Sequence, residues 1–288
     1  MARISYVNGE YLLHSQAMVH VEDRGYQFAD GIYEYCAFYN GIVLDADLHF
    51  KRLERSLHAL EIDLPMSVPA LSIVIRELIE RNGKPDGGLY LQVTRGVAKR
   101  DHPFPKQLKP VLSMTVCGAK TPKPQEIKNG VHAITYPDYR WHRRDIKSIS
   151  LLANIIAKNE ASKKSVREAW LLMEDGKFSE GSVSNTYIVN AKGEIVTHPA
   201  DTHILGGITR DVALKLARAN GIKVIEKPFM PADVKSASEA FITSTSANVQ
   251  PVVKLDDHMI GNGKPGPVTQ KLMSLYHAHI FAQTGKQF

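Results

Sequence analysis

AKTPKPQE, residues 119–126, is the stretch that divides this chain. It holds two prolines and one apolar residue, Ala119, between two long segments rich in hydrophobic residues. Proline fixes φ and removes a backbone donor, so such a run neither extends a strand ladder nor fills a core. A linker at 119–126 leaves a small N-terminal α/β domain over 1–118 and a larger C-terminal domain over 127–288.

Upstream of it, strands and helices mix. ISYVNGEYLL (4–13) predicts a hairpin around Asn8-Gly9, and Tyr35 to Val43 a second around Asn40-Gly41. Both dipeptides supply the positive φ that a two-residue turn needs. Leu48, Leu53, Leu57 and Leu60 recur near helical spacing. Leu71 to Arg81 repeats that pattern and stops at Asn82-Gly83, a helix end. LYLQVTRG (89–96) and PVLSMTVCG (110–118) predict strands.

Downstream, VHAITY (131–136) predicts a strand, and Ser148 to Ser165 an amphipathic helix with Leu151/Ile155 and Leu152/Ile156 as i,i+4 pairs. A strand-rich run over 168–199 follows, with turns at Asp175-Gly176 and Lys192-Gly193. A helix from Thr209 to Asn220, a strand at KVIEK (223–227), strands around FITSTS (241–246) and a last helix from Val268 complete the chain. No repeat or low-complexity tract interrupts the pattern. The fold class is α+β, in two domains.

Composition excludes several classes. The 288 residues are 43% hydrophobic and 23% charged, as in ordinary globular proteins. Thirty-six basic against thirty acidic side chains give a formal charge of +6. That thin excess draws small anions and does not by itself argue for nucleic acid. No apolar run approaches the ~20 residues of a membrane helix. The opening MARISYVNGEYLLHSQ lacks the order of a signal peptide. The two cysteines, Cys36 and Cys117, have neither a near partner nor a metal-ligand spacing. The expectation is a reducing, cytoplasmic compartment, with no disulfide scaffold, no metal site and no membrane.

Five short constellations carry the chemistry. GGITRD (206–211) puts two glycines and Thr209 before a helix, where bare amides and the helix dipole receive phosphate; it is equally a tight turn with an N-cap. TSTS (243–246) lines up four hydroxyls at a strand end, fit for an anion or for a solvated loop. RDIKS (144–148) places Lys147 beside Ile146, as an amine nucleophile or a surface lysine. In SEGSVSN (179–185), Glu180 is a carboxylate able to hold the proton of a buried ring nitrogen, or an exposed strand residue. In RGVAKRDH (95–102), Arg100 and His102 share a face if extended, suiting a substrate carboxylate, or sit on a solvated loop. Together they supply what pyridoxal phosphate requires: an amine, a ring acid, a phosphate nest and a cation for the substrate.

The sequence resembles the class IV pyridoxal-phosphate aminotransferases of fold type IV and, within them, the D-amino-acid aminotransferases. The carrying segments are EDRGYQFADGIYE (22–34), HFKRLERS (49–56), LQVTRGVAKRDHPFP (91–105), DIKSISLLANIIAKNEA (145–161), EGSVSNTYIV (180–189), THPADTHILGGITRD (197–211) and FITSTS (241–246). Their order and spacing match from near residue 5 to near residue 275. The resemblance implies that Lys147 holds the cofactor aldehyde and moves a proton at the substrate Cα, while Glu180 keeps the ring nitrogen protonated. Arg52, Ile208, Thr209, Ser244 and Thr245 would hold the phosphate, and Leu205 would pack against the ring. Tyr33, Arg100 and His102 would trap the substrate α-carboxylate. In the family the arginine and histidine reach in from a neighbouring subunit, so a homodimer with its active site at the subunit interface is implied.

The RGxxxRxH pattern, kept whole here, separates this subfamily from branched-chain L-aminotransferases and aminodeoxychorismate lyases, which share the lysine and the glutamate. The implied reaction passes an amino group between a D-amino acid such as D-alanine and a 2-oxo acid such as 2-oxoglutarate, by way of a pyridoxamine form. Two positions depart from the subfamily pattern: Val183 where a serine is common, and Gly206 where a larger polar residue is common. Both bear on substrate breadth. The rival readings are a relative acting on branched-chain L-amino acids or (R)-amines, a lyase, and a non-catalytic anion- or nucleic-acid-binding module prompted by His142-Arg143-Arg144. The weak charge and the lack of interleaved aromatic and basic residues disfavour the last.

Overall fold

The computed structural model describes residues 2–119 and 121–288; of the expected linker, Lys120 lies outside the described residues. The chain divides into two units. The first takes in residues up to 120 together with 146–150 and 282–286, and the second takes in the rest.

The first unit is a six-stranded sheet with helices. In chain order it holds β1 (Ile4–Val7), β2 (Glu10–Leu13), α1 (Arg24–Phe28), β3 (Gly31–Tyr39), β4 (Ile42–Val43), α2 (Ala46–Ala59), α3 (Val68–Asn82), β5 (Gly87–Thr94) and β6 (Val111–Gly118). The strand order is β2-β1-β6-β5-β3-β4, and every pair is antiparallel. Both hairpins turn where the sequence predicts, with Asn8 and Gly9 at φ 47° and 103° and Asn40 and Gly41 at 50° and 76°. Along β3 the even residues Ile32, Glu34, Cys36 and Phe38 all face inward, as the period of two requires. Helix α2 meets this strand with His49, Arg52, Leu53, Ser56 and Leu57 on its buried face. Leu53, Leu57, Leu71, Leu78, Leu89 and Met114 complete the core, each contributing about 1.5–3 kcal/mol by leaving water. Helix α3 is capped by Ser67 and ends at Gly83 with φ 60°.

Residues 146–150 belong to this unit by hydrogen bonding. The Tyr33 amide donates to the Lys147 carbonyl (3.0 Å), and the Ile149 amide donates to that of Gly31 (3.1 Å). The segment thus adds to β3 like a short strand. The helix predicted from Ser148 starts only at Leu152, because the backbone before it is spent on β3. The chain's end is tied here too: Asn40 donates to the Thr284 carbonyl (2.9 Å), and Lys286 pairs with Asp86 (2.5 Å).

The second unit holds α4 (Pro124–Asn129), β7 (Val131–Pro137), α5 (Leu152–Lys163), β8 (Glu168–Leu172), β9 (Phe178–Gly181), β10 (Asn185–Val189), β11 (Ile195–Thr197), α6 (Ile208–Ala219), β12 (Val224–Glu226), α7 (Pro231–Lys235), β13 (Glu239–Ser244), β14 (Asn248–Leu255), β15 (His258–Met259) and α8 (Pro267–Thr284), whose last turn groups with the first unit. Helix α4 begins inside the stretch expected as linker, with Pro124 in its first turn, where a missing N–H costs nothing. Its sheet runs β12-β11-β10-β13-β14-β7-β8-β9, with β15 beside β14. Trp170, Phe178 and Phe229 pack edge-on and tilted in this unit's core, with centroids 5.5–6.0 Å apart. Helix α5 buries Ala157 and Ala161. Leu152, Ile155 and Ile156 instead stand 70%, 59% and 45% exposed, so the apolar pairs seen in the sequence do not face this unit's core.

Candidate active site

In the first unit the site is built on β3. Tyr33 and Glu34 are neighbours there, so their side chains leave opposite faces of the sheet. Lys147 comes across the Tyr33 side: its Nζ stands 4.1 Å from the Tyr33 ring centroid. The ring in turn stacks on Tyr90 (5.6 Å), whose hydroxyl donates to Gln92 (2.7 Å). An ammonium over an aromatic face is attracted by the ring quadrupole, and this holds the amine in one place. The Lys147 amide points to Ser56 Oγ (3.4 Å), so α2 steadies the same residue.

Under the sheet, Glu34 is gripped from α2. Arg52 Nε donates to Glu34 Oε1 and Arg52 Nη2 to Oε2, both at 2.8 Å. His49 Nδ1 lies 2.8 Å from Oε2. The carboxylate only accepts, so Nδ1 carries the proton. Burial opposes the Glu34 charge, yet the Arg52 guanidinium overcomes it and holds the carboxyl well below the usual range. Burial pushes His49 down, leaving the imidazole neutral at pH 7. The sequence singles out Arg52, as a phosphate arginine, but neither Glu34 nor His49, with which it forms this cluster.

Arg100 and His102 lie on the exposed loop after β5. Both gather around Phe28: the Arg100 guanidinium stands 5.0 Å from its centroid and the His102 ring 5.6 Å. Arg24 holds the loop by donating to the carbonyls of Asp101 (2.6 Å) and His102 (3.2 Å). Arg24 is itself anchored on Asp30 (2.7 Å). The contacts that tie Arg100 and His102 are thus with Phe28 and Arg24.

In the second unit the centre is Glu180, at the end of β9 and buried. The Leu205 amide donates to both of its oxygens (3.1 and 3.2 Å). Asn185 Nδ2 donates to Oε2 (2.9 Å) and also to the Leu205 carbonyl (2.9 Å). Arg140 Nη1 reaches Oε1 at 2.5 Å. Burial pushes this carboxyl up from its ordinary range, against the pull of Arg140 and the Leu205 amide. Two expected residues, Glu180 and Leu205, are thereby brought into direct contact. Arg140 and its partner Asp138 were missed; the only signal is D-x-R directly after a strand, at 138–140.

Gly207 then caps α6 without a side-chain hydrogen bond, so the first amides of a twelve-residue helix have no capping oxygen from their own N-cap. A Cβ on Gly207 would collide with Asn185 Oδ1, so glycine lets the helix start come close to the Glu180 cluster. Ile208 and Thr209 are the first helical residues, both buried, with the Tyr276 hydroxyl 3.5 Å from Thr209 Oγ1. Ser244 and Thr245 stand at the end of β13, against which α6 packs. Ser244 Oγ accepts from the Ala247 amide (3.1 Å), which shapes the turn.

The first unit thus offers an amine held on an aromatic face, and the second a buried carboxylate paired with a guanidinium and a helix start without a capping oxygen; each is a kind of group that an anionic aromatic aldehyde requires. No helix among the described residues is long and apolar enough to cross a membrane.

The sequence model of the family described as Amino-transferase class IV matches residues 31–255. The chain is 43% identical over 279 residues to a D-alanine aminotransferase of Bacillus licheniformis, covering 97% of this chain and 98% of that one. It is 41% identical over 277 residues to a D-alanine aminotransferase of Staphylococcus haemolyticus, covering 96% and 97%. Among solved structures, the branched-chain amino acid aminotransferase of Escherichia coli has the same fold, with a TM-score of 0.90 over 100% of this chain and 97% of that one at 23% identity.

Proposed function

The chain belongs to the class IV aminotransferases, and we propose that it carries an amino group from a D-amino acid such as D-alanine to a 2-oxo acid such as 2-oxoglutarate. The observation that carries this reading is near-full-length likeness, above 40% identity, to two D-alanine aminotransferases. The intact pair Arg100 and His102 supports it as a trap for the α-carboxylate.

The residues fit pyridoxal phosphate as cofactor. The chain offers an amine positioned on a ring, a buried carboxylate with a second acceptor oxygen, and the uncapped amides of α6 with the Thr209 hydroxyl. Bound to the protein, this group supplies an aldehyde that condenses with amines and a ring that takes up the electrons left at Cα. Lys147 would hold that aldehyde, give way to the substrate amine, and as a free amine move the proton at the substrate Cα. Glu180 would hold the ring-nitrogen proton by its charge. Ile208 and Thr209 would orient the phosphate with Arg52, Ser244 and Thr245, and the Leu205 side chain would pack on the ring. Tyr33, Arg100 and His102 would fix the carboxylate, and with it the enantiomer whose Cα–H meets the lysine.

A homodimer is part of the same proposal. The exposure of the Arg100–His102 loop and of Leu152, Ile155 and Ile156 supports it, since monomers rarely leave apolar patches in water. Two free thiols suit a reducing, cytoplasmic setting.

Initial rates with D-alanine, L-leucine and (R)-1-phenylethylamine, each against 2-oxoglutarate, test the reading. D-Alanine is expected to be the fastest donor. A faster L-leucine would move the chain to the branched-chain type, and a faster arylamine to an (R)-amine transaminase.

A further inference from the structure

Four charged side chains in the second unit form a closed, electrically balanced group: Asp138, Arg140, Arg144 and Glu180. Their side chains are at most 8% exposed, and that of Asp138 has no exposed surface. Asp138 is fastened to the sheet, its amide donating to the Leu172 carbonyl (2.8 Å). Its Oδ1 accepts from Arg140 Nε (2.9 Å) and from the Arg140 amide (3.2 Å). Its Oδ2 accepts from Arg140 Nη2 (2.9 Å) and Ser179 Oγ (2.6 Å), with Arg144 Nε 3.4 Å away. One edge of the Arg140 fork is therefore spent on Asp138, and Nη1 remains for Glu180. A guanidinium is planar and rigid, so fixing one edge fixes the other.

We infer that Asp138 is a positioning residue: by gripping Arg140 it keeps the guanidinium on Glu180 and so keeps that buried carboxyl ionised. The inference rests on the role proposed above for Glu180. Its physical need is clear, because a carboxyl removed from water favours its neutral form, and a neutral acid no longer holds a ring-nitrogen proton by charge. The charged and titratable groups around Glu180 are Arg140, Asp138, Arg144 and the buried Tyr187 phenol.

Asp138 acts on Glu180 in two opposed ways, and the sign separates them. As a like charge it disfavours the Glu180 anion; as the clamp on Arg140 it favours it. If the clamp dominates, Asp138→Asn makes Glu180 harder to ionise. If only the charge counts, the same variant makes it easier.

The test is a pH titration of the Glu180 carboxyl by infrared difference spectroscopy on cofactor-free protein, with Glu180→Gln identifying the band. Asp138→Asn is expected to move the titration to higher pH. Ser179→Ala, which removes one donor to Asp138 and serves if the first variant folds poorly, should move it the same way by less. In a parallel equilibrium titration, the dissociation constant for pyridoxal phosphate should rise about tenfold in Asp138→Asn, as expected for losing one charge-assisted contact. A Glu180 titration that stays put or moves to lower pH in both variants overturns the inference. If Glu180→Gln itself leaves pyridoxal phosphate affinity and absorbance unchanged, the role of Glu180 fails, and the inference with it. If Glu180→Gln changes both while Asp138→Asn changes neither, the inference alone fails.

Discussion

Lys147 and Arg100 carry the sharpest expectations for single side chains. Lys147→Ala should lower turnover by at least about 10²–10⁴-fold, the range for a positioned acid–base group. It should also remove the visible absorbance of the bound cofactor. Turnover and spectrum measured on one sample check both. Arg100→Ala should raise KM for D-alanine about ten- to hundredfold, as for loss of a charge-assisted contact. An amine donor without a carboxylate should be far less affected. At this scale the sequence was informative wherever a residue is proposed to act through its own chemistry: Lys147, Glu180 and Arg52 stand in short, distinctive surroundings. It was silent on Glu34, His49, Asp138 and Arg140, whose contacts are with other side chains. Glu34 left one trace, a charge at an inward position between Ile32 and Cys36. That His49 and Arg52 lie one helical turn apart beneath it depends on how α2 packs on β3, and no local pattern records that.

Elements decide how these residues are presented. Gly207 stands where α6 starts against Asn185, and Gly207→Ala should push Asn185 off Glu180. The cost should be about 1–3 kcal/mol, the usual range for overpacking, with weaker pyridoxal phosphate binding. Chemical denaturation and a cofactor titration of the variant would show both. Hairpins and long helices were legible because turn dipeptides and apolar spacing are local signals. The start of α5 was not, because Ser148 and Ile149 read as helical in the sequence and pair with β3 instead. The same helix shows the limit of amphipathicity as evidence: its isoleucines are exposed, and two of its alanines, Ala157 and Ala161, are buried. If that face joins two copies, Ile155→Glu should shift the protein toward monomer in sedimentation velocity. An unchanged dimer would remove α5 from the interface.

Over the whole molecule, buried charge ties stability to pH. Glu34 and Asp138 have carboxyl pKa values held below the ordinary range by Arg52 and Arg140, which outweigh burial. The unfolded chain therefore binds more protons than the native one as pH falls below about 5. Their contribution is complete above that range and is lost as pH falls through the native values. Thermal unfolding should show a flat Tm from these two groups between pH 6 and 8, and a steep fall on acidification. Glu34→Gln should lower stability by about 3–5 kcal/mol at pH 7, since it breaks the buried Glu34–Arg52 ion pair from one side. It should also flatten the acid limb; an acid limb unchanged in Glu34→Gln would clear this cluster of the effect. The proline-rich stretch suggested a linker at 119–126, but the grouping of 146–150 and 282–286 with the first unit is a tertiary event that no linker signal foretells. That grouping sets the lysine on Tyr33, and the catalytic assignment depends on it. Borohydride reduction of the pyridoxal-phosphate-loaded protein, followed by proteolysis and mass mapping, tests that assignment most directly. The account predicts a single pyridoxyl adduct on the peptide containing Lys147. An adduct on another lysine, or none at all, would contradict it.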